Sequence, residues 1–600
     1  MEILTIVDAM VRTAARHPDR GFIFLDDKGV ETAYTFPQIL AEAQRRGRAL
    51  SKRGLRKGDR MALVVPDPED FILTFFGALC AGVIPVPLYP PLALGKLDAY
   101  IDASVKIMTA AGARILLTTG KVQPVLWSCM GKVPGLEDIL VVDKAFAGDP
   151  GSSELPDVAA EDIAFLQFTS GSTSDPKGVI VTHRNLVANT TDIWAGIEIG
   201  NPEDMVVSWL PLYHDMGLIG KVLTPLVSGT RAVFIPTLSF LKKPTVWMDV
   251  MTKYEATVTF APNFAYSLAT RRAKPEHLAR WDLSRMRVFG CGAEPIKPET
   301  MSEFTETFAA AGLKPEAMLP CYGMAEATLA ISFVPLRAKV ETDLIDADTY
   351  HEKGWAVEVP RGTPNTMELV SCGSVFPGHE IGVMDEAGRL LPERRVGELC
   401  LRGPSVTPGY WRNPEATART IVDGWLHTGD LGYVAGGRVF VSGRKKDILI
   451  LNGRNYYPQS VEWLIEELPG VRKGNVVVFS RPGASSEELV VAAETRAAGS
   501  EDLKAEIRRI VSDELSLRVA DIVFLSAGQL PKTSSGKVQR AKTRDQYIRG
   551  TLGREGVRTM GSSDRIVIAR HLAVSFLRRA GHRARRLVPT VINRFFQPSP

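Results

Sequence analysis

Cysteine is scarce in this chain, six residues in 600, and no two of them form a CxxC pair. That pattern suggests neither a zinc site nor a disulfide framework, and it fits a reducing compartment, the cytoplasm. Long apolar runs are also missing. One stretch without charge, 71–95, has the length of a membrane span on paper but carries prolines at 85, 87, 90 and 91. What precedes them is too short to cross a bilayer and reads as a buried helix leading into an extended segment. The N-terminal residues have an acid at position 2 and no uninterrupted apolar core, so no secretory signal is expected. Excess charge is absent from the body of the chain as well. The net +4 arises in residues 551–600, where ten arginines and two acids leave a local +8, so the first 550 residues lie on the acidic side of neutral. Nucleic-acid binding therefore has little electrostatic support. What remains, 45% hydrophobic and 23% charged, is an ordinary globular composition in a chain long enough for several large cores.

The chain is organised around residues 166–183, LQFTSGSTSDPKGVIVTH. Two apolar, β-rich runs flank a loop of small and hydroxylated residues, a hairpin whose tip suits phosphate. Gly171 and Gly178 let backbone approach an anion, the hydroxyls of Thr169, Ser170, Ser172 and Thr173 can donate, and Lys177 supplies a compact cation. It is not a Walker A loop, because Pro176 stands where the second glycine belongs and a strand follows instead of a helix. A plain polar turn is the alternative.

Before this loop, a helical stretch (39–52) alternates with short apolar runs (60–65, 115–118, 139–142), the rhythm of an α/β sheet. After it, segment 208–220, SWLPLYHDMGLIG, sets His214 just beyond a short strand, where a lone histidine is by default structural. Segment 287–296, RVFGCGAEPI, runs a strand into a turn whose Gly290 and Gly292 would let a flat ring lie on backbone. In 319–330, LPCYGMAEATLA, Tyr322 stands in a turn and offers a stacking face, while Glu326 is expected in the first turns of a helix. There an acid either favours the helix dipole or serves as a hard oxygen ligand for magnesium. Segment 425–432, WLHTGDLG, is expected to hold Asp430 in a turn between strands. Short strands (475–479, 489–493) and helices (459–468, 501–515) then give an α+β pattern ending in LPKTSSGKVQR, whose Lys537 read alone is a solvated charge.

Taken in this order over about residues 1–545, the segments resemble the adenylate-forming superfamily of acyl-CoA synthetases, fatty acyl-AMP ligases, peptide-synthetase adenylation domains and luciferases. The resemblance implies an α/β fold with a large N-terminal domain of α/β subdomains (1–443) and a small mobile α+β C-terminal domain (444–550). The basic tail 551–600 falls outside it. ATP and Mg2+ are implied as well. Thr169, Ser170, Gly171, Ser172, Thr173 and Lys177 would hold the phosphates, and Gly292, Ala293, Glu294, Tyr322 and Gly323 would surround adenine. Asp430 and Arg444 would take the ribose, and Glu326 the magnesium. His214 would border the carboxylate substrate and the reacting phosphate, Lys446 would be the hinge, and Lys537 the catalytic lysine swung in on a mobile loop. A fatty-acid carboxylate is already ionised at neutral pH, so the chemistry needs positioning and cations more than a base. The product would be an acyl-adenylate, with pyrophosphate released.

The acceptor is indicated by residues 331–370, which separate the YGMAE motif from the next glycine-bearing strand and are too many for an ordinary connection. Fatty acyl-AMP ligases look similar here, with an insertion (about 336–369) after AEATL at 325–329 and resumption at VSCG, 370–373. They also resemble this chain at GRNYYP, 453–458, where acyl-CoA ligases commonly carry Gly-Glu. The resemblance implies transfer of the acyl group to the phosphopantetheine thiol of an acyl carrier protein or a polyketide-synthase carrier domain, for lipid or polyketide synthesis. A fatty acyl-CoA ligase is the first alternative and a non-catalytic nucleotide- or acyl-binding protein the second. In the tail, the mostly apolar 566–577 precedes the basic 578–586, suited to peripheral contact with an anionic membrane or to a solvated extension.

Overall fold

The computed structural model describes residues 3–91, 97–169, 176–451, 454–483, 487–496, 500–515, 517–533 and 537–553. The expected phosphate-loop residues Ser170, Gly171, Ser172 and Thr173, and the basic tail beyond 553, lie outside the described residues. The chain divides into two compact units, one built from Met1–Ala41, Val158–Ile163 and Val179–Glu555, the other from Glu42–Asp157 and Ala164–Gly178.

The first unit is centred on a nine-stranded sheet in the order 374–375, 330–333, 318–323, 288–291, 258–261, 205–208, 231–234, 21–25, 31–35. Its central strands run parallel. Met205–Ser208, Val258–Ala261 and Val288–Cys291 are buried at every position, the run expected of strands covered on both faces. The helix His183–Ile197 opens with a reciprocal cap: Asn185 N–H donates to Thr182 Oγ1 at 3.1 Å, and Thr182 N–H donates back to the Asn185 side chain at 3.2 Å. Farther along the same helix, buried Asn189 exchanges two hydrogen bonds with the backbone of Ala330 and so ties helix to strand.

A second sheet of this unit holds strands 380–384, 397–402, 425–435, 438–444 and 421–422. A third, 471–482, 487–495 and 519–525, packs with helices Pro458–Glu466 and Glu501–Leu515 around its own core of Val461, Ile465, Val478, Val491, Ile507 and Val511. The expected α+β pattern is found there.

The expected insertion is a small folded element. Strands Thr342–Asp346 and Thr366–Val370 pair antiparallel, and helix Ala347–Lys353 between them is capped by Asp346, which accepts from Thr349 N–H at 2.7 Å. Ile345, Tyr350, Ala356 and Leu369 share one core with Leu431, Tyr433, Phe440 and Tyr457. Asp343 accepts from the Tyr433 hydroxyl at 2.8 Å and pairs with Arg394 at 3.0 Å.

The second unit carries a wholly parallel four-stranded sheet, 84–87, 60–64, 115–118, 138–141. The uncharged stretch before the prolines becomes helix Pro68–Cys80, capped by Asp67 and buried along most of its length, followed by strand Ile84–Pro87. A Cβ at Gly77 would lie 2.6 Å from Cβ of Arg46, so glycine is required where this helix meets Phe36–Lys52. No helix among the described residues is long and apolar enough to cross a membrane.

Three local expectations are corrected: Tyr322, expected in a turn, lies within strand Met318–Gly323. Glu326 does not open a helix: Ala325–Ala327 is a single 3-10 turn, ended by Thr328 at φ 68° and followed by strand Ala330–Phe333. Asp430 is not in a turn either, since it lies within strand Trp425–Ala435 and pairs with Arg444.

Candidate active site

Parallel sheets present their ligand sites at the carboxyl ends of the strands, and the expected residues of the first unit cluster there. Tyr322 lies near the end of strand Met318–Gly323, and its hydroxyl donates to Asp430 Oδ2 at 2.7 Å. Arg444 Nε lies 3.1 Å from Asp430 Oδ1. Register places the ion pair, because Asp430 and Arg444 are direct partners on adjacent strands. Asp430 is 6% exposed. Burial pushes its carboxyl up, while Arg444 and the Tyr322 hydroxyl pull it back; the same carboxylate raises the Arg444 guanidinium.

Gly292 and Ala293 follow strand Val288–Cys291. A Cβ at Gly292 would sit 2.7 Å from Cys321 Sγ, and Ala293 adopts a positive φ of 69°. Such a conformation in a residue with a side chain is costly and gathers at functional sites. Glu294 accepts from Phe264 N–H at 2.8 Å, and burial raises its carboxyl. A Cβ at Gly323 would lie 2.0 Å from the Leu329 carbonyl, which accepts from Met324 N–H and closes the turn carrying Glu326. Glu326 Oε1 accepts from the Tyr410 hydroxyl at 2.8 Å.

His214 caps the short helix Asp215–Leu218. Its Nε2 is sealed from solvent with no hydrogen-bond partner among the described residues, which suits a polar ligand atom. Burial first and the Lys537 charge second push the imidazole down to about 3, so it is neutral at physiological pH. Burial raises the carboxyls of Asp215, Glu294 and Asp430, and the Lys537 charge opposes that rise in each. The structure thus gathers Lys537, His214, Glu294, Asp430, Tyr322 and Arg444. Lys446 is exposed in the 3-10 turn Lys445–Asp447.

Thr169 ends strand Ile163–Thr169 and Lys177 begins strand Lys177–Thr182, on either side of the undescribed loop positions, in the second unit. The Phe168 ring lies where a side chain at Gly178 would stand, 2.8 Å from the ideal Cβ.

Sequence reasoning missed the supports. Glu494 Oε1 accepts from Gly528 N–H at 2.7 Å and Leu530 N–H at 3.1 Å, while Oε2 takes Arg472 at 2.7 Å, fixing the approach to the Lys537 loop. On the far side Arg540 pairs with Glu462 and donates to Val478 O at 2.6 Å. Among the described residues, no three His, Cys, Asp or Glu side chains gather as a metal site. Glu326 offers carboxylate oxygens, hard donors of the kind that suit Mg2+.

The AMP-binding enzyme family matches residues 10–411. A Caulobacter vibrioides protein, described provisionally as an acyl-CoA synthetase, is 38% identical over 534 residues, covering 87% of this chain and 91% of its own. The long-chain-fatty-acid–AMP ligase FadD26 of Mycobacterium marinum is 36% identical over 554 residues, covering 87% and 93%. Among solved structures, a fatty acyl-adenylate ligase from work on E. coli and L. pneumophila superposes with TM-score 0.86 at 34% identity, over 92% of this chain and 99% of that one. The chain belongs to the AMP-binding enzymes, as an adenylate-forming ligase of the fatty acyl-AMP ligase group.

Proposed function

We propose that this enzyme joins a fatty acid to the α-phosphate of ATP, releases pyrophosphate, and passes the acyl group to the phosphopantetheine thiol of a carrier protein. The observation that carries the reading is the clamp on Asp430 by the Tyr322 hydroxyl at 2.7 Å and Arg444 Nε at 3.1 Å, with the Lys537 charge acting on the same carboxylate and on sealed His214. In this reading Asp430 and Arg444 hold the ribose, Tyr322 stacks on adenine, and Gly292, Ala293, Glu294 and Gly323 shape the pocket around it. Thr169, Ser170, Gly171, Ser172, Thr173 and Lys177 hold the β- and γ-phosphates. Neutral His214 donates or accepts a hydrogen bond at the border of carboxylate and phosphate without adding charge. Lys537 stabilises the negative charge that builds as two anions meet. Glu326 would hold Mg2+, which supplies charge neutralisation on the phosphates.

The domain boundary is proposed at 443–446 with Lys446 as the hinge, supported by the separate hydrophobic core that begins at Leu449. The acceptor reading rests on the insertion. Tyr350 packs on Tyr457 with centroids 5.5 Å apart, and His351 on Tyr456 at 5.2 Å, so the insertion grips the chain just beyond the proposed hinge. An element joined to both sides of a hinge resists its rotation, and rotation is the step that would open a route for CoA.

Purified enzyme given ATP, Mg2+, a fatty acid and either CoA or holo carrier protein tests the whole proposal. Pyrophosphate release with acyl transfer to the carrier alone is expected. Efficient acyl-CoA formation would favour the second reading, a CoA ligase, for which the Caulobacter relative's description speaks.

A further inference from the structure

Lys221 is 1% exposed, yet among the described residues it has neither a carboxylate partner nor a hydrogen-bond acceptor. Its Nζ stands 3.5 Å from the centroid of the Phe260 ring. Burial pushes the ammonium down to about 7, opposed by the neighbouring Cys321 thiol, which burial itself pushes up and keeps neutral. Such a group is expensive. A ring face repays part of the desolvation, but methionine or leucine would fill the same space at no such cost.

Its position is informative. Lys221 lies in the π-helical turn Ile219–Leu223, which directly continues the helix capped by His214; π-turns of this kind recur at functional sites. Phe260 is near the end of strand Val258–Ala261, and its ring fills the space a side chain at Gly290 would need. Cys321 immediately precedes Tyr322, and its thiol donates to Cys291 O at 3.2 Å. The ammonium therefore sits at the ends of the same strands that carry Gly292 and Tyr322, one helical segment beyond His214. It lies seven residues beyond His214 along one continuous helical segment, roughly 10 Å at the helical rise.

We propose that Lys221 determines substrate specificity by donating a hydrogen bond to an oxygen on the acyl chain, so that the preferred acid is hydroxylated, oxo-bearing or dicarboxylic and not a plain alkanoate. This rests on the adenylation reading above. The phenyl face of Phe260 and the absence of an acceptor among the described residues leave the ammonium's remaining protons for the substrate.

The test is acid-dependent pyrophosphate release by the full-length enzyme with plain, hydroxy, oxo and ω-carboxy acids of equal length. Wild type should prefer one oxygenated acid by about 10- to 100-fold in kcat/KM, the range of one hydrogen bond to a charged group. Lys221→Met should erase that preference, chiefly through a raised KM for the oxygenated acid, and Lys221→Gln, which keeps a donor, should restore part of it. Melting temperatures establish that both variants are folded, and the wild-type ranking stands as a test even if they are not. A wild-type enzyme that turns over plain acids as well as oxygenated ones, or a methionine variant with an unchanged ratio, overturns the inference. Failure of every acid to release pyrophosphate overturns the adenylation reading instead.

Discussion

Asp430 and Lys537 carry opposite charges close enough for the lysine to act on the carboxylate, yet they are held in different ways. Asp430 sits within an eleven-residue strand, is buried, and is clamped by the Tyr322 hydroxyl and the Arg444 guanidinium. Lys537 is held through its backbone: its carbonyl accepts from Thr533 N–H at 2.7 Å, and its own N–H donates to Thr533 Oγ1 at 3.1 Å. A clamped carboxylate suits the proposed role of Asp430, holding the same ribose at every step. A side chain without side-chain partners suits a group that acts in one step and then leaves, because nothing has to be broken for it to go. The contrast predicts that mutations at the two positions separate activity from stability.

The largest effect is expected for Lys537→Ala. Acyl-adenylate formation should fall by about 10²- to 10³-fold, the usual loss when one preorganised charge is removed from a transition state. Its melting temperature should match wild type, since no side-chain bond to a described residue is lost. Pyrophosphate release at the wild-type rate would remove Lys537 from the chemistry.

Asp430→Ala should move both readouts. Loss of the ribose contact should raise KM for ATP about tenfold, and the stranded Tyr322 hydroxyl should cost about 1–3 kcal/mol of stability. Calorimetric melting alongside ATP titration checks this. An unchanged melting temperature would mean that the clamp is not formed in solution, and the contrast with Lys537 would collapse.

Glu326→Gln should act between these extremes. The amide still accepts from the Tyr410 hydroxyl, so stability should hold, while a neutral oxygen is a poorer ligand for a hard cation. The magnesium titration of activity should shift to higher concentration. An unshifted titration assigns the metal elsewhere.

How much of this was legible in the sequence varies along the chain for physical reasons. Apolar runs such as 60–65 and 115–118 announce buried strands, because strands covered on both faces must be apolar throughout. The insertion is legible from its length together with the resemblance at 325–329 and 370–373. Asp430 misled because Thr-Gly-Asp reads as a turn, whereas Gly429 at φ 72° and a shift of register between Glu398 and Cys400 let the strand continue through it. Glu326 misled because AEATLA is rich in helix formers, but pairing of Ala330–Phe333 with the strand ending at Gly323 overrides local propensity. Lys221, Tyr410 and Glu494 gave no local signal. What makes each distinctive is a partner far away in sequence: Phe260 for Lys221, Glu326 for Tyr410, and Gly528 and Leu530 for Glu494. Such pairs become visible only once the strands are aligned.

The smallest expected effect sharpens the comparison most directly, because His214 reports on where Lys537 is. Two causes hold its imidazole far below the ordinary 6.5, burial first and the Lys537 cation second. Removing a nearby cation favours the protonated ring, so in Lys537→Ala the His214 titration should move up. Because burial is the larger cause and remains, it should still stop short of 6.5. Histidine-labelled enzyme followed by NMR through an acid titration gives the value, with His214→Asn identifying the signal. A titration unmoved by Lys537→Ala would mean that the lysine does not stand beside His214 in the free enzyme. A return all the way to the ordinary value would mean that the pocket is open to water and that the cation alone kept the ring neutral. The sign also fixes a stability trend. A histidine whose folded pKa is depressed binds its proton more readily in the unfolded chain, so its contribution to stability is present above pH 6.5 and is lost as pH falls toward the folded value. His214→Asn should therefore flatten the acid limb of the melting profile, and Lys537→Ala should flatten it only in part.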